Sequence, residues 1–279
     1  NVHLPRLRRT LRVGLNWYQT SSAITKIAVQ IEAGAVVANT VRAAFFVSLA
    51  GKLGKRPFLW YMRDFWLSET EPRFHQVDTL LKKIVCRSAV QVIANSHITA
   101  NHLPCPNVTI VPNGINLDKF PDDADGITFR QKFGIPANAP VVGTMGRLRP
   151  WKGQHHFIEM AAKVAQAQPQ AHFIIVGGSL FGVGDAYFEQ LQEMAMRNNL
   201  IEKVHFTGHL SEVADPLAAM DIFVHCGAPE PFGLVNIEAM AARKPVVAFR
   251  HGALPEIVSD NQTGRLVPPY NITALADAV

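Results

Sequence analysis

Apolar and polar positions follow two periods along this chain. In the second half, short continuous apolar runs at 141–146, 172–177, 204–208, 222–225, 245–249 and 264–267 read as strands buried on both faces. Between them lie stretches with a 3.6-residue apolar period, at about 154–167, 186–199, 213–220, 233–243 and 253–259. In the first of these, Phe157, Ile158, Ala161, Ala162 and Ala165 make one helix face. Asp185 and Ser211 stand where N-caps belong. Strands alternating with amphipathic helices predict a parallel, doubly wound sheet.

The first half repeats the pattern more weakly. Residues 35–38, 57–61, 90–94 and 108–111 read as strands, and 40–52, 74–88 and 96–103 as helices. Residues 1–33 read as the tail of something already begun. From about Asn113 to Pro140 the chain is rich in Asn, Asp, Gly and Pro, a linker with a short helix at 127–133. The expectation is an α/β protein of two Rossmann-like domains, 1–118 and 119–279, with a cleft between them. In such sheets ligands bind beyond the carboxyl ends of the strands. Gly146, Gly177, Gly208 and Cys226-Gly227 fall there.

Composition narrows the class. The 279 residues are 48% hydrophobic and 18% charged, enough for two cores. The net charge of +5 is partly local, with Arg6, Arg8, Arg9 and Arg12 ahead of any clear element. That run reads either as a contact for anionic lipid or nucleic acid or as a solvated start. No RNA-binding aromatic signature accompanies it, and no nucleic-acid partner is expected. Cys86, Cys105 and Cys226 show neither metal-like nor redox-like spacing, and so sparse a count suits a reducing cytoplasm. Glycosylation sequons at Asn107, Asn261 and Asn271 matter only in a secretory lumen. The longest apolar run, Ala43 to Ala50, is too short to span a bilayer.

The chemistry concentrates at two strand exits. After the strand at 222–225, a Pro/Gly turn delivers Glu230, and Phe232-Gly233-Leu234 opens a helix carrying Glu238. A helix start presents free N–H groups that suit an anion. Carboxylates beside it suit sugar hydroxyls, since an ionised carboxylate only accepts hydrogen bonds. After the strand at 141–146, Gly146 lets the backbone approach a ligand. Arg147 and Lys152 follow, a fork and a point charge that can both reach a diphosphate.

Gly146-Arg147-Leu148 with Lys152-Gly153, then Glu230 and Glu238 as an E-x7-E pair, resembles glycosyltransferase family 4 on the GT-B fold. Val111-Pro112-Asn113-Gly114-Ile115, Val176-Gly177-Gly178, Phe206-Thr207-Gly208, Gly252 to Val258 and Gly264 to Pro269 add to the likeness, which runs from about Gly34 to the last residue. The resemblance implies a GT-B-like pair of doubly wound Rossmann-type domains, the N-terminal one incomplete. It implies metal-independent transfer of a sugar, with retention, from a nucleotide diphosphate to a hydroxyl of a glycan or glycolipid. Polysaccharide biosynthesis at the cytoplasmic side, with peripheral contact at the inner membrane face, is the implied setting. Arg147 and Lys152 would neutralise the leaving diphosphate, Glu230 would face the donor sugar, and Glu238 would hold the ribose. Phe232, Gly233 and Leu234 would touch sugar and phosphates, and Gly208, His209 and Leu210 the nucleobase edge.

The chain departs from the family pattern in places. The usual glycine-rich loop near the start is absent, and the chain stops inside a helix pattern, so it reads as a fragment or a diverged form. Tyr61 stands where many relatives place a histidine. Arg63 and Asp64, among Trp60, Tyr61, Phe65 and Trp66, read either as an acceptor-side contact or as an internal salt bridge. A non-catalytic nucleotide-binding fragment is the competing class. No metal or cofactor is expected: Asp123-Ala124-Asp125 lies in the linker, and His155 and His156 lack ligand spacing. Glu256 reads as a helix cap. A dinucleotide oxidoreductase is disfavoured, since Gly177-Gly178 and Gly182-Val183-Gly184 do not complete Gly-x-Gly-x-x-Gly.

Overall fold

The computed structural model describes residues 3–65, 75–178 and 185–279, with side chains from Gly14, Thr79 and Ala186 onward in the three stretches. Trp66 and Gly182-Val183-Gly184 lie outside the described residues, as do the side chains of Arg6, Arg8, Arg9, Arg12 and Asp185. The chain divides into two compact units, Asn1–Asn113 and Gly114–Val279.

The first unit holds a parallel sheet of β1 (Val36–Ala38), β2 (Phe58–Met62), β3 (Gln91–Ala94) and β4 (Val108–Ile110), side by side in chain order. The order reversal of a doubly wound sheet does not occur among these strands. Helices α1 (His3–Gln30), α2 (Val41–Leu53), α3 (His75–Ser88) and α4 (His97–Asn101) alternate with them. Along β2, Phe58, Trp60 and Met62 are buried while Leu59 and Tyr61 are half-buried, so the period-2 pattern sets which face carries the core. Ala44 and Val47 of α2 and Val85 of α3 close over it. Thr40 and Ser96 start α2 and α4 by accepting from the N–H groups of Ala43 and Thr99.

Two features of this unit go beyond the sequence reading. Residues 3–30 form one long helix. Its apolar positions are interrupted by arginines, and Pro5 is tolerated because it sits in the first turn. The helix is fastened to α2, where Trp17 Nε1 donates to Phe45 O at 2.7 Å and Thr25 Oγ1 to Ala50 O at 3.2 Å. Cys86 and Cys105 form a disulfide, their Cα atoms 5.0 Å apart. Nineteen residues apart in sequence, they meet because the end of α3 and the loop before β4 are neighbours in space. The pairing removes the argument from cysteine count for a reducing compartment. Cys226 is free and buried.

The second unit is built on a six-stranded parallel sheet, β10-β9-β8-β5-β6-β7 in spatial order. Its strands are β5 (Val141–Met145), β6 (His172–Val176), β7 (Val204–Phe206), β8 (Ile222–His225), β9 (Val246–Phe249) and β10 (Gly264–Val267). The connecting helices are α5 (Gly126–Lys132), α6 (Gln154–Ala167), α7 (Asp185–Arg197), α8 (Ala214–Ala218), α9 (Leu234–Ala241), α10 (Leu254–Ile257) and α11 (Ile272–Ala278). Both faces are apolar. Phe173 and Ile175 enter one core, Ile174 and Val176 the other. This is why the strands read as unbroken hydrophobic runs.

Ser211 is not an N-cap: α8 starts later, and Val213 precedes it without a side-chain cap. Asp125 caps α5 by accepting from Thr128 N at 2.8 Å, a structural use for the Asp-x-Asp segment. The contact boundary falls at 113/114 rather than 118/119. Phe120 packs into the second unit's core and Lys119 interacts with Glu238, so this stretch travels with the second unit.

Phe173 is fully buried at the centre of this sheet. Phe173→Ala should destabilise the protein by about 3–5 kcal/mol, read from urea denaturation. A loss below about 1 kcal/mol would contradict the packing described.

Candidate active site

The chain runs β5, β6, β7 toward one edge of the second sheet, then returns to lay β8, β9 and β10 toward the other. Strands β5 and β8 are therefore neighbours whose loops leave in opposite directions, the switch point at which open α/β sheets bind ligands. The loop after β5 carries Gly146 to Gly153, and the loop after β8 carries Cys226 to Gly233.

The two loops are joined through their backbones. Ala228 N donates to Trp151 O at 2.7 Å, and the buried Cys226 thiol donates to Gly153 O at 3.1 Å. Gly153 has φ +76°, and a Cβ there would stand 2.1 Å from Cys226 O. Both the left-handed turn and the close approach exclude a side chain.

This joint carries Lys152 to Glu230. The ammonium donates to Glu230 Oε1 in an ion pair whose side chains are 16% and 9% exposed. His225 Nε2, at the end of β8, lies 3.3 Å from the same oxygen. Burial pushes the Glu230 carboxyl up, but the His225 ring and the Lys152 ammonium outweigh it and hold it at about 2. The residue is thus a fixed carboxylate. Its Oε2 faces Gly233, whose added Cβ would lie 3.5 Å away.

Gly233 caps the start of α9, Phe232 is buried behind it, and Leu234 is exposed. Asn236 fastens this turn through Nδ2 to Gly233 O at 3.0 Å. Glu238, one turn further along, is half-buried. Burial raises its carboxyl and Lys119 partly offsets that. Glu230 and Glu238 thus answer to different lysines.

Arg147 is exposed, 5.9 Å over the Trp151 ring, and has no carboxylate partner among the described residues. Lys152 lies over the same ring at 4.6 Å. A cavity of about 240 Å³ opens beside Gly146 and Arg147, walled in part by Val176, His209, Leu210 and Val213. Gly208 O accepts from Gly177 N at 3.0 Å, which ties the His209 loop to the end of β6. A larger hollow, about 400 Å³, lies among Pro140, Asp221 and Asp277 at the opposite ends of the strands.

Gly146, Lys152, Glu230 and Gly233 are therefore brought together, and Gly146, Arg147, Gly208, His209 and Leu210 gather at or beside the cavity. Arg63 and Asp64 belong to the first unit, just after β2, and both are exposed. The internal salt bridge is corrected. Asp64 accepts from Phe65 N at 2.8 Å, while Arg63 lies over Tyr61 at 5.4 Å. Tyr61 donates to Asn113 Oδ1 at 3.1 Å. No group of three or more potential metal-ligating side chains gathers among the described residues.

Two residues escaped the sequence reading. His225 ends an otherwise apolar strand, a polar intrusion that was the available signal. His251, after β9, packs against Phe249 and Tyr270. Burial lowers its pKa, and both ring nitrogens are buried without a hydrogen-bond partner among the described residues.

The family model described as "Glycosyl transferases group 1" matches residues 125–279, and the chain belongs to that family. The lipopolysaccharide core mannosyltransferase LpsB of Rhizobium meliloti is 31% identical over 70% of this chain and 56% of its own length. A D-inositol 3-phosphate glycosyltransferase of Corynebacterium jeikeium is 32% identical over 62% of this chain and 42% of its own length. The chain thus spans about half the length of these curated relatives. Among solved structures, Anabaena HepE in complex with UDP superposes with a TM-score of 0.83 at 32% identity, covering 92% of this chain and 70% of that one. The α/β fold with parallel sheets is that of GT-B glycosyltransferases. No helix among the described residues is long and apolar enough to cross a membrane.

Two outcomes are expected. Gly153→Ala should force the loops apart and destabilise the protein by about 1–3 kcal/mol, measured by urea denaturation. Glu230 has a depressed folded pKa, so its stabilisation is complete above the unfolded value near 4.5 and is lost as pH falls toward about 2. In urea titrations the wild type should therefore lose stability more steeply than Glu230→Gln across that interval. Parallel curves would exclude the depressed carboxylate.

Proposed function

We propose that this chain transfers a sugar, with retention and without a metal ion, from a nucleotide-diphosphate donor to a hydroxyl of a glycan or glycolipid, in the manner of glycosyltransferase family 4. The observation that carries this reading is the convergence of Lys152, Arg147 and the ionised Glu230 at the β5/β8 switch point. The names of relatives that are mannosyltransferases, and of a structural neighbour holding UDP-glucose, support it.

In this reading Arg147 and Lys152 stabilise the charge that develops on the diphosphate as the anomeric C–O bond breaks. The acceptor oxygen bonds to the anomeric carbon on the face the diphosphate leaves, and its proton passes to a departing phosphate oxygen. No dedicated base or cofactor is needed. Glu230 accepts from donor-sugar hydroxyls, with the backbone of Phe232, Gly233 and Leu234 alongside. Glu238 accepts from the ribose, and Gly208, His209 and Leu210 meet the nucleobase through main-chain groups. Arg63 and Asp64 serve the acceptor side. The proposed setting is polysaccharide biosynthesis in the cytoplasm, with the basic N-terminal run against an anionic inner membrane face.

Calorimetric titration with UDP, GDP and ADP tests the donor site. One nucleotide should bind, and Glu238→Ala should weaken it about tenfold or more through loss of a charged hydrogen-bond acceptor. Glu230→Gln should abolish transfer of radiolabelled sugar while sparing nucleotide affinity. Binding without turnover in the wild type would favour the non-catalytic nucleotide binder.

A further inference from the structure

In the second sheet β8 lies between β5 and β9, and its exit is gripped from both sides. On the β5 side Gly153 meets Cys226. On the β9 side the joint is made at Glu230 itself. Ala253 N donates to Glu230 O at 3.0 Å. Gly252, one residue earlier, has φ +55°, and a Cβ there would stand 2.6 Å from both Glu230 N and Glu230 O. No side-chain carbon fits so close to a backbone, so the turn after β9 reaches the Glu230 main chain only because residue 252 is glycine. The left-handed φ calls for glycine as well.

The turn is itself anchored. His251 N donates to Phe249 O at 2.9 Å, and the His251 ring packs against Phe249 and Tyr270. Leu254 is fully buried, and its Cδ2 lies 3.4 Å from where a Gly233 Cβ would be, so the same turn also reaches the start of α9. Glu230 is thus held twice. Lys152 takes its carboxylate, and the Gly252-Ala253 backbone takes its main chain. A carboxylate is aimed by its root as much as by its tip, and a main-chain shift at Glu230 would swing its oxygens off their line.

We propose that Gly252 is a positioning residue for Glu230: its missing side chain lets the β9 turn seat the Glu230 backbone, and that seat sets where the carboxylate meets the hydroxyls of the donor sugar. The inference rests on the donor-site reading above. In that reading the nucleotide is met by Glu238 on α9, by Arg147 and Lys152 after β5, and by Gly208 to Leu210 after β7. The sugar depends on Glu230. Disturbing the seat therefore weakens the hold on the sugar and leaves the hold on the nucleotide.

The test is calorimetry with UDP, GDP, UDP-glucose and GDP-mannose, on the wild type and on variants whose folding is checked by circular dichroism. Gly252→Ala should weaken binding of the nucleotide sugar about fivefold or more, through loss of aimed, charged hydrogen bonds, and leave the matching nucleotide within about twofold. Gly252→Asn should behave the same, since asparagine accepts the left-handed backbone but still brings a Cβ. Gly134, just after α5, has φ +65° and no atom within 4 Å of an added Cβ. Gly134→Ala carries the same strain without the close approach and should change neither affinity. Equal weakening of sugar and nucleotide in Gly252→Ala, no weakening, wild-type behaviour in Gly252→Asn, or a matching loss in Gly134→Ala would each overturn the positioning role. Amide exchange on the wild type tests it without any variant. The nucleotide sugar should slow exchange of the Ala253 N–H beyond what the nucleotide alone does, and equal slowing would also overturn the role. If Glu230→Gln weakens binding of the nucleotide sugar and Gly252→Ala does not, the positioning role falls and the donor-site reading stands. If Glu230→Gln leaves nucleotide-sugar binding unchanged, or none of the four ligands binds, the donor-site reading falls and this inference with it.

Discussion

A buried carboxylate must be neutralised, and in this chain the cation that neutralises Glu230 comes from another strand's loop. The Lys152–Glu230 pair spans 78 positions of sequence. It exists only because β5 and β8 are adjacent in the sheet and because a glycine at 153 lets the two exits touch. Removing either partner leaves a charge in a place where water cannot fully solvate it. The pair therefore acts as a structural clamp, and it fixes how the exits of β5 and β8 face each other.

That clamp divides the cations of the site into two kinds. Lys152 is already committed, whereas Arg147 is exposed and has no carboxylate partner among the described residues. An arriving anion meets Arg147 without displacing anything, but meets Lys152 only by competing with Glu230. The two basic residues looked equivalent by type and position after the strand. Their electrostatic situations differ because only one of them is folded against a carboxylate.

Much of the second unit was legible from the chain. Continuous apolar runs marked β5 to β10, because a strand covered on both faces tolerates few polar residues. Phe157 and Ile158 announced the face of α6, since a helix buries positions three and four apart. The first unit was legible in its strands but not in α1, whose arginines interrupt an apolar face that only contact with α2 explains. The Cys86–Cys105 bond was invisible, because a spacing of 19 carries no information about which loops adjoin.

Local order follows from local sequence: the strand and helix periods, the glycine turns and the carboxylates at strand exits were fixed by residues close to one another in the chain. Contacts between exits were decided by strand order and loop approach, which depend on the whole packed sheet. Thus the presence of Glu230, Lys152 and Arg147 at strand ends was a property of the sequence. Which of them pair, that His225 touches the same carboxylate oxygen, and that Glu238 answers to Lys119 were properties of the fold. Hydrophobic periodicity acts over a few residues, whereas a buried charge finds its partner only in three dimensions.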